Sequence, residues 1–490
     1  MGTAKAVKGI LTTLVLLYAL LSYPSADPPV PAGASGKPFT WKQDEKWMAL
    51  EKSFQEARQI GCGGLKAGTD RGYRQGRQYL ASLSASPVRP DAPVLGGLES
   101  LTFSLGTMVA ACPESLQDYI HLITETRSVL KRQSRAWDIE DRAVRDRLYR
   151  MLYGGRAALE EVMLQAETFP ALVQAEDVPS ATPSCVFQNE TLHSGDILVS
   201  RGGAPTSALI SRGNDYPGNF SHVALLYVDE KTGAPGIVES HIEMGVVVST
   251  VEQYIQDKKL RILVLRLRSD LPQVKADPML PHEAAKKAYE EAKRRHIPYD
   301  FEMDYREPSK WFCSEVASWA YRQCGLELWK GTTRMSAPGV VRWLSYFGVT
   351  HFETQAPADL EYDPQLAVVA EWRDPETLWQ DHVDNAVVEA MLEGADEGDS
   401  IPAPWWKLAA VRLAKGYSVV LNWFGGVGPV PEGMDATAAL RNLELSDLHE
   451  KVKAGVLSRA ADFRRSQGYR PPYWELVRMA NEVRKEEMRR

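Results

Sequence analysis

A cysteine that opens a helix can react as well as pack. The stretch KWFCSEVASWAYRQCG, Lys310 to Gly325, puts Cys313 in that place. Pro308 disfavours helix just before it, so Cys313 falls within the first turn. There the unpaired N–H groups and the helix dipole stabilise a thiolate, the nucleophilic form of the thiol. Val316, Ala317, Ala320 and Cys324 share its side by helical spacing, so plain core packing is the competing reading. That reading suits Cys324, which lies about three turns in. A thiol nucleophile also needs a base. In NFSHVALLYV, His222 stands near the start of a strand, on one face with Ala224 and Leu226. In GIVESHIEMGV, Glu239 lies on the next strand and faces the same way as Ile237 and His241. A carboxylate among apolar residues is costly without a partner, and a histidine one strand away would supply it. Glu239 would then set the imidazole tautomer and leave the other ring nitrogen for the sulfur. A metal site from His222, Glu239 and His241 is a weaker alternative, because no recognised ligand motif accompanies it. No cofactor is expected.

The elements that must position these residues can be read in order. The chain has 490 residues, a net charge of −7 and interspersed acids and bases, so two or three domains are expected and a dedicated nucleic-acid surface is not. MGTAKAVKGILTTLVLLYALLSYPSADPP has Lys5 and Lys8, an apolar run from Gly9 to Leu21, then small residues and prolines, the layout of a secretory signal. Residues 1–26 are therefore expected to be a signal peptide or membrane anchor, and 27–40 a Pro/Gly/Ser linker. Residues 41–180 read as a helical domain or stalk, whose charged stretches are taken as solvated helix faces. From about Gly195 to Arg268 short Val/Ile/Leu-rich segments separated by Gly, Pro or Asn read as strands. PHEAAKKAYEEAKRRH follows as a helix with a small-residue stripe at Ala284, Ala285, Ala288 and Ala292, and residues 376–490 are again mostly helical. Five cysteines leave at least one unpaired within the chain; Cys62 with Cys112 is a candidate bridge, and the absence of CxxC argues against structural zinc.

LHSGDILVSRGG, FSHVALLYV, IVESHIEMGV, IPYDFEMD and WFCSEVASWAY occur in that order. They resemble the circularly permuted NlpC/P60 peptidases, in particular the YiiX-like branch of papain-like enzymes, over roughly Cys185 to Thr354. The resemblance implies an α+β fold: a permuted papain-like catalytic domain, bounded here at 181–375, with α-helical N- and C-terminal extensions. It implies Cys313 as nucleophile, His222 as general base and Glu239 as the orienting third member. Tyr299 would lie near the oxyanion side, with His241 as the reserve third member. Gly195 and Asp196 match a structural turn that opens the β-rich region.

The expected function is an exported cysteine hydrolase that cleaves amide bonds, with peptide or peptidoglycan as substrate. The expected location is the cell envelope or periplasm, with anchoring to the inner membrane left open. A lipid acyl hydrolase or acyltransferase on the same triad is the alternative, since enzymes similar to lecithin:retinol acyltransferase share the permuted layout. A catalytically inactive scaffold module is a third reading. PAPWWKLAAVRLAKGYSVVLNWFGG, Pro402 to Gly426, has an amphipathic look, but the sequence favours a core helix pair over lipid contact.

Overall fold

The computed structural model describes residues 2–40 and 45–489, with the side chains of residues 2–9 and Trp47 outside the described set. The side chains of the signal-like lysines, Lys5 and Lys8, and the start of the helical region at 41 therefore lie outside the described set. The N-terminal part comprises α1 (Gly2–Ser22), α2 (Glu45–Ala85), α3 (Pro93–Ala111), α4 (Leu116–Gln133) and α5 (Gly154–Gln165). A seven-stranded sheet follows: β1 (Leu172–Gln174), β2 (Ile197–Gly202), β3 (His222–Val228), β4 (Pro235–His241), β5 (Gly245–Ser249), β6 (Lys259–Leu267) and β7 (Leu366–Trp372). Its spatial order is β1-β7-β6-β2-β3-β4-β5, and every pairing is antiparallel. Helix α6 (Pro205–Arg212) lies between β2 and β3, while α7 (Leu280–Arg294), α8 (Cys313–Arg322) and α9 (Pro338–Ser345) lie between β6 and β7. The chain ends with α10 (Pro375–Glu397), α11 (Trp405–Trp423), α12 (Ala436–Gln467) and α13 (Tyr473–Glu487). The architecture is α+β, as expected.

Both faces of the sheet are covered, which explains why its strands read as nearly continuous apolar runs. Val199, Val223, Leu225, Leu263 and Leu265 join the Ala284, Ala285 and Ala288 stripe of α7 and Val316, Ala317 and Ala320 of α8 in one core. Leu198, Ala224, Leu226, Ile237 and Val264 face the other way. Small side chains on α7 let that helix lie close to the sheet. Gly195 has φ +95, and a Cβ there would meet Pro281 at 2.5 Å, so the turn before β2 needs glycine. Asp196 locks the same turn by taking Arg266 through both oxygens, at 2.8 and 2.7 Å.

Three expectations change here. First, the N-terminal helices are not a stalk with solvated charged faces. Arg127, Lys131, Arg145, Arg156 and Glu160 are buried, because the helices dock on the sheet and on α10. Lys131 donates to the Glu361 and Asp363 carbonyls at 2.6 and 2.8 Å, and burial lowers its pKa to about 8. Second, the region read as helical through residue 180 turns to strand at β1, which pairs with β7 at the sheet edge. Neither three residues of β1 nor LAVVAEW of β7 carries a periodicity of its own. Third, residues 27–40 are extended chain laid along segments between β2 and β7, with Ala34 N–H on the Met335 carbonyl at 3.0 Å and Phe39 N–H on the Asp215 carbonyl at 2.8 Å. Cys62 and Cys112 form a disulfide, and Cys185, Cys313 and Cys324 are free.

Candidate active site

Helix α8 begins at Cys313, as the sequence predicts, and buries the thiol to 5% exposure. Glu315 makes the start possible by accepting the Phe312 N–H at 2.9 Å, which occupies one of the helix's orphan donors. The helix ends at Arg322, so Cys324 lies in the turn that follows rather than in a third turn; that turn closes at Gly325 with φ +73. Cys324 is partly exposed and packs at the margin of the core.

The sulfur of Cys313 lies against the start of β3. Its thiol donates to the Ser221 carbonyl at 3.8 Å, and the Val223 N–H also acts on it. The main chain on both sides of His222 thus cradles the sulfur. Antiparallel pairing of β3 with β4 sets Ala224 opposite Glu239, and the carboxylate of Glu239 reaches back to His222. His222 Nε2 is 2.8 Å from Glu239 Oε2, so Nδ1 is the ring nitrogen that this carboxylate leaves unengaged. His241 Nε2 is 3.2 Å from the other carboxylate oxygen, Oε1, and the two imidazoles stand 5.5 Å apart. His241, the reserve candidate, thus holds the carboxylate oxygen of Glu239 that His222 does not. These three side chains offer donors within 4.8 Å of one another, a set that by type can also ligate a divalent ion. Tyr299 is buried beside them, and its ring meets Phe301 edge-on at 5.1 Å.

Electrostatics revise one expectation. Burial pushes the Cys313 thiol up to about 11, more than the nearby N–H groups of Val223 and Ser314 can offset. Burial, helped by the positive charge of Lys259, pulls His222 down to about 4 against the opposing effect of Glu239. Burial opposes ionisation of Glu239 too, but hydrogen bonds from His222 and His241 hold its carboxyl far below the ordinary range. At neutral pH the Cys313 thiol and the His222 imidazole each rest uncharged, because desolvation outweighs the helix terminus. Tyr299 is raised well above the usual phenol range by burial and by Cys313, so it holds its proton and can donate.

Cys313, His222, His241 and Tyr299 line one cavity of about 720 Å³. Glu239 sits behind it. The wall includes residues that sequence reading missed: Leu209 and Ile210 of α6, Met335, Leu344 and Phe347 near α9, and Pro431 and Met434 before α12. Lys259, which acts on His222 through charge, was missed as well. None of them carries a motif; they meet only through the fold.

Residues 191–370 match the family model described as permuted papain-like amidase enzyme, YaeF/YiiX, C92 family. The matched segment, a little over a third of the chain, is thus similar to the permuted papain-like amidases. It spans β2 to β7 and contains Cys313, His222, Glu239, His241 and Tyr299. No significant match was found among curated proteins or among solved structures. Papain-like amidases are hydrolases, and the family supports that class for this chain.

Glu315 provides a check on the helix start that does not depend on any substrate. Burial, with the nearby charge of Asp300 adding to it, raises its pKa to about 9 from 4.5, while the Phe312 N–H opposes the shift. The native state therefore keeps its proton between about pH 4.5 and 9 while the unfolded chain releases it, so stability falls as pH rises through that window. Glu315→Gln supplies a neutral acceptor for the same N–H. Its Tm relative to wild type is expected to rise steadily between pH 5 and pH 8.5. A difference that stays flat over that range would mean that Glu315 is ionised in the folded protein.

Proposed function

We propose that the chain is an exported cysteine amidase or peptidase acting on envelope peptides through Cys313, His222 and Glu239. One observation carries this: the Cys313 sulfur rests on the main chain flanking His222, whose Nε2 is held by Glu239. In the proposed reaction the thiol turns from the Ser221 carbonyl toward His222 Nδ1. As sulfur attacks the substrate carbonyl carbon, the imidazole takes the thiol proton, and the charge that forms on it is met by Glu239. The oxyanion is met by N–H groups at the start of α8 and by the Tyr299 hydroxyl, each donor worth about 2.7–4 kcal/mol of barrier. His222 then protonates the departing amine, and water hydrolyses the thioester. His241 holds the second oxygen of Glu239 and so limits its rotation. The Cys62–Cys112 disulfide supports an oxidising compartment, consistent with export. A Glu239 carboxylate held by both His222 and His241, with the Cys313 thiol on the Ser221 carbonyl, argues against an inactive scaffold.

The pH profile tests the base. Only neutral His222 can accept the proton, so a pKa lowered to about 4 extends activity into acid. Accordingly kcat/KM is expected to stay level from about pH 9 down to pH 5 and to fall below pH 4.5. An acid limb centred at pH 6–7 would contradict a buried, neutral His222. Glu239→Gln is expected to lower kcat by about 10²–10⁴-fold with little change in KM, because it removes the charge that stabilises the imidazolium. Insensitivity to EDTA separates this chemistry from a divalent ion on His222, Glu239 and His241.

A second reading, a lipid acyl hydrolase or acyltransferase on the same residues, draws on the apolar wall of Leu209, Ile210, Met335, Leu344, Phe347 and Met434. Incubation with muropeptides and, separately, with phospholipids distinguishes the two: release of a free amine supports the first, release of fatty acid the second.

A further inference from the structure

Helix α11 is not the core helix that its sequence suggests. Its inner side consists of Leu408, Ala409 and Ser418, with Val411 and Ala414 partly covered. Its outer side carries Trp405, Trp406, Leu413, Tyr417, Val420 and Trp423, and Phe424 follows. Trp423 is 77% and Phe424 84% exposed. By helical spacing these residues span one broad arc, and no fully exposed position of α11 carries a charge. The helix contains no acidic residue. Its Arg412 and Lys415 sit beside the apolar arc and are held by neutral oxygens: Arg412 by the Leu21 carbonyl and Ser25 Oγ at 2.9 and 3.0 Å, Lys415 by the Pro431 carbonyl at 2.8 Å. Lys407 pairs with the carboxylate of Glu444, and Glu432 and Asp435 act on Lys415 through charge.

A second apolar element lies against this one. Tyr18 of α1 donates to the Trp406 carbonyl at 3.1 Å, and from Ile10 to Leu20 every residue of α1 is exposed and uncharged. Among the described residues the one helix long and apolar enough to cross a membrane is α3, but more than half of its apolar window is buried in the core. The exposed apolar surface is that of α1 and α11.

We infer that the outer face of α11, together with α1, is a docking surface for a lipid bilayer with anionic headgroups. Three features select a bilayer over a protein partner. The arc has no charged or amide side chain with which to read a partner's polar groups. Tryptophans mark both ends of a helix about 28 Å long, and indoles favour the headgroup boundary. Arg412, held by neutral oxygens among the described residues, borders the arc, where lipid phosphates would lie. The other side of α11 points toward the catalytic cavity: Val411 and Ala414 share a cluster with Ile242, Phe301 and Met434, which line that cavity. Docking would therefore set one cavity wall next to the membrane. The inference stands whether or not Cys313 is a nucleophile.

The test uses the full chain with phosphatidylcholine/phosphatidylglycerol vesicles, part of whose phosphatidylcholine carries bromine on the acyl chains. Wild type is expected to float with the vesicles and to lose tryptophan emission to the bromolipid. Trp405→Phe/Trp406→Phe/Trp423→Phe, which keeps the apolar face, is expected to float equally and to lose at least three-fold of the quenchable emission. Unchanged near-ultraviolet circular dichroism controls for folding. Failure to float would overturn the inference. So would flotation without quenching, which would mean that α1 anchors while α11 stays in water. A lipid-free dimer dissociated by Trp423→Ser/Phe424→Ser would overturn it too, by assigning the face to a second copy.

Discussion

Cys313→Ala is expected to lower the rate of amine release from muropeptides by on the order of 10⁴-fold or more, whereas Cys324→Ala and Cys185→Ala stay within two-fold of wild type. The size follows from covalent catalysis: without the nucleophile there is no thioester, and only binding and the oxyanion donors remain. The contrast follows from placement. Cys313 lines the cavity, with its thiol on the Ser221 carbonyl. Cys324 lies past the end of α8, and Cys185 lies on a separate hairpin, paired with Leu192. Cys313→Ser is expected to be nearly as poor, since a hydroxyl beside an imidazole of pKa about 4 is a weak nucleophile. Trapping of an acyl group on Cys313, read by mass spectrometry, is the direct check. Hydrolysis by Cys313→Ala within ten-fold of wild type would remove the cysteine from the reaction.

The second large effect concerns stability. Glu160 of α5 binds Arg261 of β6 at 2.5 and 3.1 Å and Arg373, just after β7, at 3.2 Å. Arg373 and Arg127 of α4 also hold Glu371, at 2.7 and 2.9 Å, and Arg156 of α5 spans Glu371 and Glu361. Asp381 of α10 takes Arg261 and, at 3.4 Å, Arg201 of β2. All these side chains are essentially buried, so each charge depends on its partners for the solvation that water no longer provides. Glu160→Ala leaves two guanidinium groups short of a counter-charge and is expected to cost about 3–5 kcal/mol in denaturant unfolding. Arg459→Ala, which removes partly exposed pairs with Glu482 and Glu486, is expected to cost less than about 1 kcal/mol. A loss below about 1 kcal/mol for Glu160→Ala would mean that the cluster does not join the N-terminal helices to the sheet.

How far the site was legible depends on how local its causes are. Cys313 could be placed at a helix start because Pro308 and the apolar spacing after it act within a few residues. His222 and Glu239 could be set on one face because strand alternation is a two-residue rule. The bracing of Glu239 by His241 was half visible: both face one way, but which atoms meet depends on the β3–β4 register. The neutral resting state was not visible, since it comes from desolvation by side chains far apart in sequence. Nor was the fate of the charged helical residues, because a solvated arginine and one buried against Glu160 or Glu371 look alike in a string.

The sequence by itself determined the chemical inventory and its local geometry: a thiol at a helix terminus, an imidazole and a carboxylate on neighbouring strands, and the order in which they occur. These follow from backbone sterics and short-range periodicity, which any fold must respect. Only the tertiary structure decided that the flanking helices are cemented to the sheet by buried charge, that residues before α12 wall the cavity that holds Cys313, and that α11 turns its tryptophans outward. Those outcomes depend on which surfaces lose water together, a property of the whole packed chain and of no segment within it.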